Sequence, residues 1–327
     1  MFRLLVLLLM LVSETLAVAR AEPRAGMFVA WAQRPDKTDL GGRETNLRSW
    51  EERLGLERSA LVALDFYGED KWESMISMQW LPGYWARRNE GRKLVWSIRL
   101  TATGTPLTHV AEGLHDFEFG VAARAIAAAQ PDAIIRIGWE MNGDWYPWSA
   151  IGREADYVAA YRRVAHVFRA VSPRFSFDWC VGGAIDYMPA ERAYPGDDVV
   201  DLIGMDMYDT PSEKPAAAHW REDVLERPYG LRWLEAFSAA HGKRMSLGEW
   251  GVGLRGARDN PYFIDRMADW LRANSARIAH HIYFDVPPHD LDSEAFPASR
   301  ARFLAQFSAA SVSSSRAREL RGPLRHD

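Results

Sequence analysis

Two kinds of segment alternate along the chain. Short apolar runs cover residues 27–31, 60–66, 94–99, 133–139, 175–180, 202–207, 244–247 and 280–285. Between them lie longer stretches with apolar residues at helical spacing, at 119–129, 154–171, 230–241 and 262–274. Strands that alternate with helices predict a parallel sheet, and eight of them predict a closed (β/α)8 TIM barrel. An open doubly wound sheet is the alternative. It usually carries a glycine-rich phosphate turn after its first strand, whereas Gly41-Gly42 stands alone after a polar loop. The weakest strand signals are those of 27–31 and 244–247.

The length of 327 residues suits one barrel, and neither an internal repeat nor a long linker divides it. A single catalytic-size domain over 22–306 is therefore expected. Residues 1–21 read as an export signal. Arg3 precedes an unbroken apolar run over 4–12, and Ala17-Val18-Ala19 or Ala19-Arg20-Ala21 offers a small-x-small cleavage site. That run is too short to span a bilayer, and no later segment approaches the length needed. A secreted or periplasmic monomer without a membrane span is the expectation. Residues 307–327 turn rich in Ser and Arg and read as a disordered tail.

Composition narrows the partners. A formal net charge of -4 carries no polyanion signature, so nucleic acid is not expected to bind. Cys180 is the only cysteine, so no intramolecular disulfide can form and the core must supply the stability. The 14 tryptophans are many for this length, and an indole face is a common platform for the C–H face of a sugar ring.

In a parallel barrel, reacting groups project from the C-terminal ends of strands. Glu140 follows the strand at 133–139 and opens the run Met141-Asn142-Gly143-Asp144-Trp145-Tyr146-Pro147-Trp148. Glu249 follows the strand at 244–247 and precedes Trp250-Gly251. Paired acids at strand ends, set among Trp, Asn and Gly, suit glycosidic cleavage. One carboxyl must stay protonated to donate to the leaving oxygen; the other must be ionised to attack the anomeric carbon. Other chemistries lack their residues: there is no CxxC pair, no HExxH and no GxSxG elbow. The adjacent His280 and His281 face opposite ways on a strand and cannot share a metal. No metal and no cofactor are expected.

The run Arg136-Ile137-Gly138-Trp139-Glu140-Met141-Asn142-Gly143 resembles the acid/base segment of glycoside hydrolase family 26, the β-mannanase family of clan A. Gly248-Glu249-Trp250-Gly251 resembles that family's nucleophile segment, and Asp206-Met207-Tyr208 resembles its sixth-strand end. The resemblance implies a retaining mechanism, with Glu140 as acid/base, Glu249 as nucleophile and Tyr208 as the group that orients Glu249. Two departures stand out. Trp139 occupies the place of the family His, which lies near the nucleophile or the sugar's 2-hydroxyl. The eighth strand offers Tyr283, Phe284 and Asp285 where the clan often has a Trp platform. The reaction type carries over, and the substrate stays open between a mannan-like polysaccharide and an exopolysaccharide.

Supporting residues follow. Arg136 shares a strand face with Glu140 and points either at the acids or at a structural ion pair deeper in the barrel. Trp145, Tyr146 and Trp148 crowd the loop after Glu140 and are expected to stack on sugar, as is Trp250. Asp65, at the end of the second strand, and Asp206 bind hydroxyls or cap helices, and Asn142 and Asp144 bind substrate or shape their loop. Trp80, Tyr84 and Trp85 pack a helix rather than line a cleft. The expected activity is endo-cleavage of an extracellular β-linked polysaccharide. The alternative from another class is a non-catalytic carbohydrate-binding or polysaccharide export and assembly protein on the same scaffold, which has no need of either acid.

Overall fold

The computed structural model describes residues 24–28, 40–88, 91–256 and 258–309. Its centre is a parallel sheet of eight strands: β1 Arg24–Phe28, β2 Ala63–Tyr67, β3 Leu94–Ile98, β4 Ile134–Ile137, β5 Ser176–Gly182, β6 Leu202–Tyr208, β7 Arg244–Gly251 and β8 Ile278–Phe284. The order β1-β8-β7-β6-β5-β4-β3-β2 runs once round, and β1 also lies against β2, so the sheet curls until its two ends meet. This is the (β/α)8 arrangement the alternation predicts.

The helices form because their apolar residues recur on one face. In Glu154–Val171 the buried set is Tyr157, Ala160, Tyr161, Val164, Ala165 and Phe168, the i, i+3, i+4, i+7 spacing of a core-facing stripe. Glu154 and Asp156 sit in its first turn and Arg169 in its last, complementing the helix dipole. The helix stops where Pro173 disfavours helical backbone at Ser172. Pro261–Ala273 starts from Asn260, whose side chain accepts from the Phe263 amide at 3.1 Å.

Four expectations need correction. The first strand lies at Arg24–Phe28 rather than 27–31, and residues 29–31 fall outside the described set, as does the export signal at 1–21. Strand β7 continues four residues past 247. Its register against β6 shifts between Met205 and Asp206, so that Leu247 pairs with Met205 and Glu249 with Asp206. Glu249 is therefore inside the strand, after a bulge at Gly248, and not beyond its end. Asp65 sits mid-strand in β2, not at its end. Finally, the tail does not begin at 307. Phe307 closes the helix Pro297–Phe307 and lies 5.8 Å from Trp250 and 5.6 Å from His281, ring to ring; residues 310–327 are outside the described set. Among the described residues no helix is long and apolar enough to cross a membrane.

The barrel interior is split. Val62, Leu64, Val95, Ile134, Leu202 and Ile282 make one apolar cluster inside it, packed against Phe66 and Phe284. A polar group is buried beside them. Ser246 donates to Asp178 Oδ2 at 2.7 Å, and His280 Nε2 lies 3.8 Å from the same oxygen. Gly204 makes this possible, since a Cβ there would fall 2.5 Å from Asp178 Oδ1 and 2.6 Å from Ser246 Oγ. Burial raises the Asp178 carboxyl to about 6, against the pull of the Ser246 hydrogen bond and the Arg136 charge. Burial likewise lowers His280 to about 3, helped by the neighbouring positive groups, so its ring is neutral.

A raised native pKa means that the folded chain holds a proton the unfolded chain releases. Stability is therefore lost as pH rises from about 4 to about 6. Asp178→Asn removes that titration and keeps an acceptor for Ser246. Urea unfolding should find the two proteins similar at pH 4 and the Asn variant more stable by roughly 3 kcal/mol above pH 7, a shift of about two units. A difference that does not vary with pH would mean that Asp178 is ionised throughout.

Candidate active site

The strand ends carry the chemistry to the C-terminal mouth of the barrel. Chain direction reverses sharply after β4. Glu140 itself adopts the left-handed conformation, φ 53°, and its amide donates to the Cys180 carbonyl at 2.9 Å, which pins the acid to β5. The loop that follows is cross-braced. Asn142 donates to the carbonyls of Gly182 and Ile185, each at 2.9 Å, and accepts from the Gly182 amide at 2.8 Å. Trp148 Nε1 donates to the Trp139 carbonyl at 2.8 Å, and the Ala150 amide donates to Met141.

One guanidinium organises the mouth. Arg136 is fully buried, and Nη1 donates to Ser97 Oγ and to Glu249 Oε1, both at 2.9 Å. Its Nη2 bonds Asp206 Oδ2. Tyr208 donates to Glu249 Oε2 at 2.7 Å, so both oxygens of Glu249 accept a hydrogen bond. That surrounding fits the ionised carboxylate, which only accepts. The Tyr208 ring lies 4.6 Å from His289 and meets Phe284 edge-on at 6.0 Å. The Cys180 thiol donates to Asp206 Oδ1 at 3.2 Å.

Glu140 has a different environment. Burial raises its carboxyl to about 7, and the negative charge of Glu249 adds to the rise. The Arg136 charge and hydrogen bonds from Trp145 and Asp206 oppose it without cancelling it. Burial also pushes Asp206 well up, against the attraction of Arg136. Three carboxyls thus surround a single cation, and they cannot all be ionised. Asp206 and Glu249 share the guanidinium, Glu249 also takes the tyrosine, and Glu140 is left as a proton holder near neutral pH. One carboxylate and one carboxylic acid at a shared mouth is the division of labour that glycosidic cleavage demands.

The predicted residues separate into those at this mouth and those that are not. Arg136, Asp206, Tyr208, Glu249, Glu140, Trp145 and Tyr146 come together. Trp139 stands one step behind. Its ring is buried against Phe66, Tyr146 and Trp148, with Arg136 5.2 Å above it, and its Nε1 donates to Tyr146 OH at 3.0 Å. Asp206 is committed to Arg136 and buried, so it is not a hydroxyl binder. Trp148 and Trp250 are each 0% exposed, and neither offers a face to sugar. Trp148 stacks on Tyr146 at 4.4 Å, and Trp250 packs among Phe263, Tyr283 and Phe303 outside the sheet. Asn142 is the brace already described, and Asp144 is exposed on the loop. Asp65 is buried, with Oδ2 accepting from Trp85 Nε1 at 2.8 Å and Oδ1 from the Phe66 amide, so it neither reaches the mouth nor caps a helix. Tyr84 and Trp85 are buried helix packing, while Trp80 is exposed.

Sequence reasoning missed Cys180, His289 and Tyr187. Tyr187 is 51% exposed, in the loop after β5 that Asn142 ties to the Glu140 loop. Cys180 was open to discovery, because it shares an inward strand face with Asp178. His289 carries no local signal.

Residues 119–242 match the model of glycosyl hydrolase family 26. That segment holds Glu140 and Tyr208, and it aligns the chain with the family the motif resembles. Over these residues the chain is similar to glycosyl hydrolase family 26. Endoglucanase H of Acetivibrio thermocellus is 31% identical over 104 residues, 28% of this chain and 11% of that protein. A mannan endo-1,4-beta-mannosidase of Bifidobacterium adolescentis is 28% identical over 147 residues, 40% of this chain and 14% of that protein. The chain thus spans a small part of the curated relatives it matches. Among solved structures, the catalytic domain of a Bacillus sp. JAMB-750 family 26 endo-beta-1,4-mannanase superposes with a TM-score of 0.60 at 15% identity, covering 90% of this chain and 89% of that one. A modular endo-beta-1,4-mannanase from Cellulomonas fimi gives 0.58 at 17% identity, covering 90% and 71%. At these identities the structural likeness speaks for the barrel fold. The family 26 match at 119–242 covers Glu140 and Tyr208, and Glu249 lies beyond it.

The two tryptophan roles can be told apart by stability. Trp148→Ala should cost about 3–5 kcal/mol in denaturant unfolding, as for other large buried rings. Trp145→Ala, at a ring 42% exposed, should cost less than about 1 kcal/mol. Equal costs would mean that Trp148 is not part of the core.

Proposed function

We propose that the chain is a retaining glycoside hydrolase that cleaves β-linked polysaccharide internally, with Glu140 as acid/base and Glu249 as nucleophile. The observation that carries this is the unequal sharing of donors between the two acids. Glu249 receives Arg136 and Tyr208, while Glu140 lies half-buried beside its negative charge and holds a proton near neutral pH. In the first step Glu249 attacks the anomeric carbon as the glycosidic bond breaks, and Glu140 passes its proton to the leaving oxygen. In the second, Glu140 takes a proton from water, the water oxygen bonds the anomeric carbon, and Glu249 departs. Tyr208 and Arg136 hold Glu249 in place through both steps. Trp145 and Tyr146 supply the aromatic surface near the acid.

Mannan is the first substrate to test, because relatives carrying the mannanase description share this fold and part of this sequence. A β-linked exopolysaccharide is the second, since Trp139 spends its one N–H on Tyr146 and offers none to a sugar hydroxyl. We place the protein outside the cytoplasm, on the strength of the apolar leader sequence, and propose that it acts as a monomer.

Incubation with β-mannan, glucomannan and acidic and neutral exopolysaccharides should yield new reducing ends from at least one of them, with the β configuration in the first product seen by NMR. Glu140→Gln and Glu249→Gln should each reduce turnover of that substrate by about 10²–10⁴-fold or more. Wild-type kcat/KM should fall as pH rises through about 7, where Glu140 loses the proton it must donate. Binding without cleavage across the panel would favour the carbohydrate-binding alternative. An initial α product would make the enzyme inverting and Glu249 a base acting on water.

A further inference from the structure

Trp145 does more at this mouth than present a ring. Its Nε1 donates to Glu140 Oε2 at 2.8 Å. To reach that oxygen from only five residues downstream, the indole folds back over the chain between them, and it lies on Gly143. A Cβ on Gly143 would fall 2.2 Å, 2.4 Å and 2.5 Å from three carbons of the indole's benzo ring. No ordinary side chain fits under that ring, so Gly143 is the shelf on which it rests. The loop cannot give way readily, because Asn142, next to the shelf, is held by three hydrogen bonds to β5 and its loop. The ring edge meets Tyr146 at 6.3 Å, which adds a second wall.

An indole N–H only donates, and in a protonated carboxyl the bare oxygen is the better acceptor, so the contact at Oε2 favours the proton on Oε1. Building on the assignment of Glu140 as the acid, we propose that Trp145, shelved on Gly143, is a positioning residue that fixes the Glu140 carboxyl and confines its proton to Oε1. The proton to be delivered to the leaving oxygen is then held on one defined oxygen in one defined orientation. When Oε1–H breaks and its proton passes to the leaving oxygen, the indole hydrogen bond remains to stabilise the carboxylate that forms. It also tempers the rise in proton affinity that burial imposes. The other groups facing Glu140 are Arg136 on β4, Asp206 and Tyr208 on β6, Glu249 on β7 and Tyr146 in the same loop. None of them rests on Gly143, so the shelf acts on one hydrogen bond alone.

The test is a 13C-NMR titration of the carboxyl carbons of the full chain, with the Glu140 resonance assigned by its loss in Glu140→Gln. Trp145→Phe removes the N–H and keeps a ring; Gly143→Ala keeps the indole and takes away its shelf. Both should raise the Glu140 midpoint by about one pH unit, since a hydrogen bond to the ionised form is lost. The double variant should match the single ones, because each change breaks the same contact. An unchanged midpoint in Trp145→Phe would overturn the positioning role, and an unchanged midpoint in Gly143→Ala would overturn the shelf. The titration requires no substrate. Absence of turnover in the wild type would therefore count against the hydrolase reading and leave the result for Trp145 standing by its own outcome.

Discussion

A single buried guanidinium is asked to neutralise three carboxyls, and the rest of the mouth follows from that shortage. Arg136 bonds Asp206 and Glu249 with its two terminal nitrogens, and neither bond reaches Glu140. Where water reaches an ion poorly and no cation pairs with it, the ion takes up a proton instead. A protonated Glu140 and an ionised Glu249 are thus two results of one deficit of positive charge. Tyr208 deepens the difference by giving its hydrogen bond to Glu249.

Keeping a charged cluster in a barrel interior needs room and bracing. Room comes from the bulge at Gly248, which turns Glu249 toward Arg136, and from Gly204, which clears space around Asp178 and Ser246. Bracing comes from outside the cluster. Asn142 ties the Glu140 loop to the β5 loop, and Trp148 seals that loop against the sheet from the back. Truncation of such groups should loosen the acid without touching it, which is why burial and catalysis are coupled here.

Much of the fold is legible in the sequence because the local signals agree. The helix Glu154–Val171 is bounded by acids at its start and by Ser172-Pro173 at its end, and its apolar face does not break period. β7 reads short in the sequence because the bulge at Gly248 interrupts alternation where Glu249 sits. The two acids stand out because strand position and residue type point the same way. The aromatic residues were harder. For Trp250 the signal was present: on a strand its side chain points opposite to that of Glu249, so an inward acid requires an outward indole. For Trp148 no local pattern separates a ring that faces sugar from one that plugs the loop. Asp65 was misplaced through the strand boundary, since a shift of the strand from 60–66 to Ala63–Tyr67 moves it from the end to the middle. The buried Asp178–Ser246–His280 group depends on three distant strands meeting across the barrel, which no spacing in the sequence records.

The division of roles between the two acids is tested most directly by trapping the first covalent intermediate. An activated 2-deoxy-2-fluoro β-glycoside of the sugar the enzyme cleaves forms a glycosyl-enzyme whose second step is slowed. Peptide mass spectrometry of the inactivated protein should then find the added sugar on Glu249, with none on Glu140 or Asp206. A sugar ester on Asp206 or Glu140, or full turnover in Glu249→Gln, would contradict the assignment of Glu249 as the ionised nucleophile.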